Sequence, residues 1–392
     1  MLPLDGVTVV TLEQAVAAPF TTRQLADMGA RVIKIERPGV GDFARSYDHT
    51  VKGLSSHFVW LNRSKESLTL DLKRPEAQEV LSKLIERADV FVQNLAPGAA
   101  DRLGFGVTAL RERYPSLIAC GISGYGSTGP YRDKKAYDLL VQAESGLVSI
   151  NGSEDDPAKV AISIADIAAG MYALTNILTA LFARTRSGAG TSIDVSMLEA
   201  LAEWMGFPLY YTTYGGSPPQ RVGARHAAIA PYGPFSTGGG DVVYLGIQNE
   251  REWVLFCEKV LERPEVATDV RFDSNPKRVE NLQALHDVIG AVFKDLPASE
   301  VVSRLERGRI AHGDLNTVQQ FADHPQLAAR DRWREVDSPA GTLKALLPPG
   351  LVEGVEARMD PIPSVGEHTD AILTELGYDA PTVATWRSAG VV

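Results

Sequence analysis

The stretch GVTVVTLEQAVAAPFTTRQLADMGARVIKIERPGVGD, residues 6–42, places two short β-branched runs on either side of a helical segment. VTVVTL (7–12) reads as a strand, and RVIKIE (31–36) as a second. Between them PFTTRQLADMG (19–29) reads as a helix, with Pro19 in its first turn and Gly29 ending it. Strand, helix and strand in succession form a βαβ unit, which requires a parallel sheet covered by helices.

The alternation continues outward from this unit. LTLDL (68–72) reads as a third strand, DVFVQN (89–94) and LIACGIS (117–123) as two more. PEAQEVLSKLIERA (75–88) starts at a proline and sets Val80, Leu81, Leu84 and Ile85 on one face, the spacing of an amphipathic helix. Ligands on such sheets bind beyond the carboxyl ends of the strands. Those ends here are EQAVAAP (13–19), ERPGVGD (36–42), NLAPGA (94–99) and SGYGSTGP (123–130), all rich in Gly, Pro or small residues. A long helix follows from Asp166 to Arg184, ended near Gly188, and TSIDVSMLEALAEWMG (191–206) reads as a strand and a helix. Composition then shifts. YYTTYGGSPPQRVG (210–223) has the polar, Gly/Pro-rich character of a linker, and PYGPFSTGGGDVVYLGI (231–247) reads as an antiparallel hairpin turning at Gly238–Asp241. The expected organisation is a large α/β domain over 1–205, a linker over 206–225, a small α+β domain over 226–315, and a linker with a C-terminal segment, 316–392, returning to the large domain.

Bulk properties narrow the function. The chain has 392 residues, 44% hydrophobic and 22% charged, with a net charge of −10. An acidic chain is a poor partner for nucleic acid or an anionic membrane, so an anionic ligand needs a local basic cluster. Two cysteines, Cys120 and Cys257, give neither a disulfide framework nor a metal spacing, which fits a reducing, cytoplasmic compartment. The start MLPLDGVTVV carries no basic, apolar leader, and no transmembrane segment is expected.

Several motifs have two readings. GYGSTG (124–129) matches the dinucleotide pattern, but PYRDKK follows where that pattern needs a helix, so a glycine-rich loop is the better reading. Arg37, Lys73, Arg74, Arg102, Arg132, Lys134 and Lys135 are separately ordinary surface charges. Gathered at one rim of the sheet, they suit a polyanion. Asp166, in SIADIAAGMYALTNIL (163–178), is a lone carboxylate before an apolar helix. It reads as a helix N-cap or as a nucleophile, and the two are compatible, because a helix N-terminus favours the ionised form. The small residues after it leave room for a bulky substrate.

These segments, with NRSKESLTLDLK (62–73), DVFVQNLAPGAADRLGFG (89–106), ISGYGSTGPYRDKKAYDLLVQAESG (122–146) and GEHTDAILTELGY (366–378), make the chain resemble the class III CoA-transferases. That group contains formyl-CoA and carnitine CoA-transferases and the related α-methylacyl-CoA racemases. The resemblance implies a Rossmann-like large domain, a small domain and an interlocked homodimer, with the threaded linkers around 206–225 and 315–345. It places the nucleophile at Asp166 and CoA contacts at Val16, Ala17, Arg37, Leu70 to Lys73, Asn94, Leu95, Ala96, Arg102, and Lys135 to Tyr137. Coenzyme A would enter as a substrate thioester, with no resident metal or redox cofactor. The racemases' His-Asp pair is Tyr137–Asp138 here, which weighs for transfer over racemisation. The glycine run of formyl-CoA transferases is replaced by GARHAAIAP (223–231), whose Arg225 and His226 suit a second carboxylate on the acyl group. The expected substrates are therefore short dicarboxylic acids. The competing readings are a racemase of this fold and a non-catalytic CoA-binding homologue.

Overall fold

The structure is a computed structural model describing residues 1–350 and 352–392. It divides into two compact units, residues 1–145, 160–205 and 328–392 in the first, and 146–159 and 206–327 in the second.

The first unit is built on six parallel strands: β1 (Thr8–Leu12), β2 (Arg31–Glu36), β3 (Lys65–Thr69), β4 (Val90–Gln93), β5 (Ile118–Ser123) and β6 (Ser192–Ser196). Their order is β3-β2-β1-β4-β5-β6, so the chain reverses its direction of travel between β1 and β4. This is the doubly wound order of the Rossmann fold. Val9 and Val10, Val90 to Val92, and Ile118 to Cys120 are wholly buried, as strands covered on both faces require. The Pro75–Glu86 helix turns Val80, Leu81, Leu84 and Ile85 into the core, each such burial contributing roughly 1.5–3 kcal/mol. β3 starts earlier than the expected 68–72, because Lys65 is drawn inward to a buried carboxylate described below. The C-terminal helices Thr369–Glu375 and Ala380–Ser388 pack Ile372, Leu373 and Val383 onto the same core.

The long helix runs Ile164–Ser187, two residues earlier than expected, and ends on Gly188 in the left-handed conformation. By length and apolarity it is the one described helix suited to a bilayer, yet half of its apolar window is buried in the protein. Its small residues make that burial close. A Cβ on Gly170 would lie 2.8 Å from the Ala17 carbonyl, and Thr21 Oγ1 donates to the Gly170 carbonyl at 3.0 Å. Ala165, Ala168 and Ala169 are buried beside it. The small run therefore serves contact with the Ala17–Asp27 helix, a correction to its reading as space for substrate.

The second unit contains the expected hairpin, β7 (Tyr232–Ser236) and β8 (Val242–Gly246), antiparallel and joined by β9 (Ala311–Asp314). Trp253, Phe256, Phe272 and Phe293 fill its core. Residues 206–215, expected within a linker, form a helix.

Candidate active site

The sheet's winding reverses between β1 and β4, and the carboxyl ends of the strands at such a switch point are where a ligand crevice is expected. The loop after β1 is anchored by buried charges. Glu13 accepts from Lys65 Nζ (2.6 Å), Lys34 Nζ (3.3 Å) and Thr22 Oγ1 (2.5 Å). Burial alone would raise its carboxyl, but Lys65 and Lys34 overcome that and bring it down to about 2. Lys34 also donates to Asp42 (2.7 Å), whose other oxygen accepts the Ala15 N–H (3.1 Å). Asn94, from the loop after β4, accepts the Gln14 N–H and donates to the Gln14 carbonyl. Ala15 is thus held at φ +60°, a conformation that residues with a Cβ adopt rarely and only where their surroundings impose it.

Above this anchored loop lies a cavity of about 490 Å³, lined by residues 14–17, 94–97, 122–124 and 134–139, with Phe43, Tyr47, His57, Ser163, Asp166 and Met197. A second cavity, of about 430 Å³, shares its wall at Leu95, Ala96, Pro97, Ile122 and Ser123.

Asp166 stands in the first turn of the Ile164–Ser187 helix but is not its cap. Asp138 takes the capping part instead: its Oδ1 accepts the Ala165 N–H at 2.8 Å, and its Oδ2 accepts from Gln142. The Asp166 carboxylate has no hydrogen bond or ion pair among the described residues. Burial, helped by the negative charge of Asp138, pushes its carboxyl up to about 7. The expectation that the helix N-terminus keeps Asp166 firmly ionised is therefore corrected: a neighbouring carboxylate takes the helix's N–H, and Asp166 is left under-solvated.

The structure brings Val16, Ala17, Asn94, Leu95, Ala96, Lys135, Tyr137 and Asp166 onto one cavity. Arg37, Leu70, Lys73 and Arg102 lie outside that lining. Leu70 is 1% exposed, and its side chain belongs to the core. Arg37, Lys73, Arg102 and Lys135 are exposed and make no ion pair among the described residues. Lys134 is engaged, paired with Glu144 and lying over the Tyr125 and Tyr131 rings. Arg225 and His226 belong to the second unit. There Nδ1 of His226 accepts the Ala228 N–H at 3.0 Å, and its ring stacks on Phe207 and Tyr232.

Sequence reasoning missed Phe43, Tyr47 and His57, which come from the loop after β2 and the short helix Ser56–Leu61. The signal was there in position alone: this segment leaves the carboxyl end of a strand beside the switch point. The Tyr47 phenol is pushed up to about 12 by burial, Asp42, Asp166 and Tyr137, so it stays a hydrogen-bond donor near the carboxylate.

Comparisons with known proteins show the family of the chain. The succinyl-CoA:glutarate CoA-transferase of Homo sapiens is 32% identical, covering 100% of this chain and 90% of that protein. A succinyl-CoA:mesaconate CoA-transferase of Haloarcula marismortui is 31% identical over 97% of this chain and 98% of its own length. The crystal structure of a CaiB/BaiF family protein from Brucella suis is 31% identical, with a TM-score of 0.82 over 96% of this chain and 99% of that one. A family model described as CoA-transferase family III matches residues 4–369. The chain belongs to CoA-transferase family III and is an enzyme of that class.

Proposed function

We propose that this CoA-transferase moves coenzyme A from an acyl-CoA to a short dicarboxylic acid through covalent intermediates on Asp166. The observation that carries the reading is the Asp166 carboxylate: unpaired, half-buried and raised to about 7 in the cavity at the switch point. The relatives named for glutarate, mesaconate and D-citramalate support the choice of acids.

In the proposed sequence an Asp166 oxygen attacks the thioester carbonyl, the C–S bond breaks, and CoA thiolate leaves behind a mixed anhydride. The thiolate attacks the Asp166 carbonyl carbon, the anhydride C–O bond breaks, and the donor acid departs as its carboxylate. The resulting aspartyl-CoA thioester is attacked by the acceptor carboxylate, which expels thiolate and forms a second anhydride. Thiolate attack on the acceptor's acyl carbon then releases the new acyl-CoA and restores Asp166. No proton is gained or lost overall. Covalent catalysis of this kind replaces one difficult displacement by several easier ones. The anhydrides demand exclusion of water, which a recessed cavity favours.

Val16, Ala17, Asn94, Leu95, Ala96, Lys135 and Tyr137 would contact the pantetheine end of CoA. Unpaired Arg37, Lys73 and Arg102 would meet its phosphates by charge-assisted hydrogen bonds. Leu70, its side chain buried, would contribute backbone. We place the enzyme in the cytoplasm as an interlocked homodimer without a resident cofactor.

The test incubates wild type and Asp166→Asn with succinyl-CoA and a panel of carboxylic acids and follows new thioesters by mass spectrometry. Wild type should transfer, and hydroxylamine should trap a hydroxamate on Asp166. Transfer that persists in Asp166→Asn, or α-proton exchange without any acceptor acid, would overturn the reading.

A further inference from the structure

A diacid presents a second charge that the reaction at Asp166 does not use. Inside a recessed cavity that carboxylate loses water, and a buried charge without a partner is strongly unfavourable. The wall must therefore offer it a donor. Of the two lysines on the wall, Lys134 is committed to Glu144 and to two tyrosine rings, and Lys135 is exposed and assigned above to CoA. His57 is not committed. Its Nδ1 is buried with no hydrogen-bond partner, and no hydrogen bond to its Nε2 occurs among the described residues. The ring lines the same cavity as Asp166.

Behind the ring, Asp48 Oδ2 lies 3.8 Å from Nδ1. Asp48 is itself fixed, accepting from the Thr50 hydroxyl (2.6 Å) and N–H (3.0 Å) and from the Ser56 hydroxyl (2.7 Å) and N–H. These bonds, those of Thr50 first, hold its carboxyl well below the usual range. Tyr47 completes the wall, its ring edge-on to His57 with centroids 5.3 Å apart. Its hydroxyl lies in the field of Asp166. A fixed anion behind an imidazole, with an aromatic edge beside it, sets the ring's orientation, and Nε2 can then donate to a carboxylate oxygen.

We propose that His57, positioned by Asp48 and Tyr47, is the residue that receives the distal carboxylate of the diacid and so sets the preference for dicarboxylic over monocarboxylic substrates. This rests on the transfer reading above. Donor acid and acceptor acid pass through the same site in turn, so His57 meets the distal carboxylate of either.

The experiment crosses two donors, succinyl-CoA and butyryl-CoA, with two acceptors, glutarate and pentanoate, in wild type, His57→Ala and His57→Gln. Each pair differs only in the distal carboxylate. In wild type the charged member should be preferred. His57→Ala should lower the ratio of kcat/KM for glutarate over pentanoate at least tenfold, mostly through KM, and lower the succinyl over butyryl ratio similarly. His57→Gln, which keeps a donor near Nε2, should recover part of both ratios. Loss on one arm alone would overturn the claim that both acids meet His57 at one site. The hydroxamate trap on Asp166 from butyryl-CoA reports whether each variant retains a folded site. Unchanged ratios in a variant that forms the adduct overturn the His57 assignment and leave the transfer reading standing. A wild type that transfers CoA to no acid overturns the transfer reading and this assignment with it.

Discussion

If Asp166 is under-solvated for the sake of its chemistry, replacing it should make the fold more stable, and the gain should depend on pH. Its carboxyl moves from an ordinary 3.8 to about 7 on folding. A raised carboxyl value means the folded state holds the proton more tightly than the unfolded chain does. Below 3.8 both states are protonated and the site costs nothing. Between 3.8 and about 7 the unfolded chain ionises first, and stability falls by about 1.36 kcal/mol per pH unit. Above about 7 both states are ionised, and the full cost, at most roughly 4 kcal/mol, persists. Asp166 keeps some access to solvent, and screening there cuts the figure to about half. Asp166→Asn removes the titration at nearly constant volume. Urea denaturation of both proteins should therefore show a small gain at pH 5 and a gain larger by about 1–1.5 kcal/mol at pH 8. The same substitution should abolish CoA transfer. A gain independent of pH, or a variant less stable than wild type at pH 8, would refute the idea that burial and Asp138 raise this carboxyl.

Other perturbations test neighbouring parts of the argument. Asp138→Asn keeps an oxygen for the Ala165 N–H but removes the negative charge; because burial is the larger cause of the shift, the acid limb of kcat/KM should move down by about one pH unit, read from a pH–rate profile. Gly170→Ala would gain about 0.5–1 kcal/mol in an open helix, but its Cβ meets the Ala17 carbonyl at 2.8 Å, so a net loss of about 1–3 kcal/mol should appear in denaturation midpoints. Glu13→Gln leaves Lys65 and Lys34 buried without their shared carboxylate and should cost about 3–5 kcal/mol, with loss of activity as the loop bearing Ala15 is released.

Much of the first unit was legible because its signals are local. The runs 7–12, 89–94 and 117–123 are mostly apolar since both faces of those strands are covered, 31–36 keeps the β-branched Val32, Ile33 and Ile35, and the stripe of the Pro75–Glu86 helix repeats at helical spacing. The 206–215 helix was not legible: Leu209, Tyr210 and Tyr214 are all exposed, so it carries no apolar stripe to mark it. Asp166 stood out as a lone carboxylate, but its ionisation did not, because that is set first by burial and then by Asp138, which comes from another helix. Tyr47 and His57 lie in a segment without periodicity, and only the fold shows that it forms the cavity wall. The IAAG run after Asp166 was misread for a related reason. Smallness is equally the mark of a substrate channel and of close helix packing, and the partner helix decides between them.

The position of Asp138 also bears on why the proposed nucleophile is an aspartate in the first turn and not the cap. A capping carboxylate would accept helix N–H groups and be stabilised by the dipole. That environment lowers its pKa and ties up the lone pairs that must attack the thioester carbon. Here Asp138 accepts the Ala165 N–H, while Asp166, one residue further on, receives no such bond. The Asp166 oxygens stay unsatisfied among the described residues, and the carboxylate stays more basic than a solvated one. The helix N-terminus thus serves the site indirectly. It fixes Asp138, and burial together with Asp138 raises the Asp166 carboxyl to about 7, while its oxygens have no hydrogen bond among the described residues. A second carboxylate beside a nucleophile would ordinarily be a fault in a site that binds acids. In the proposed mechanism it adds to burial the repulsion that would keep Asp166 basic.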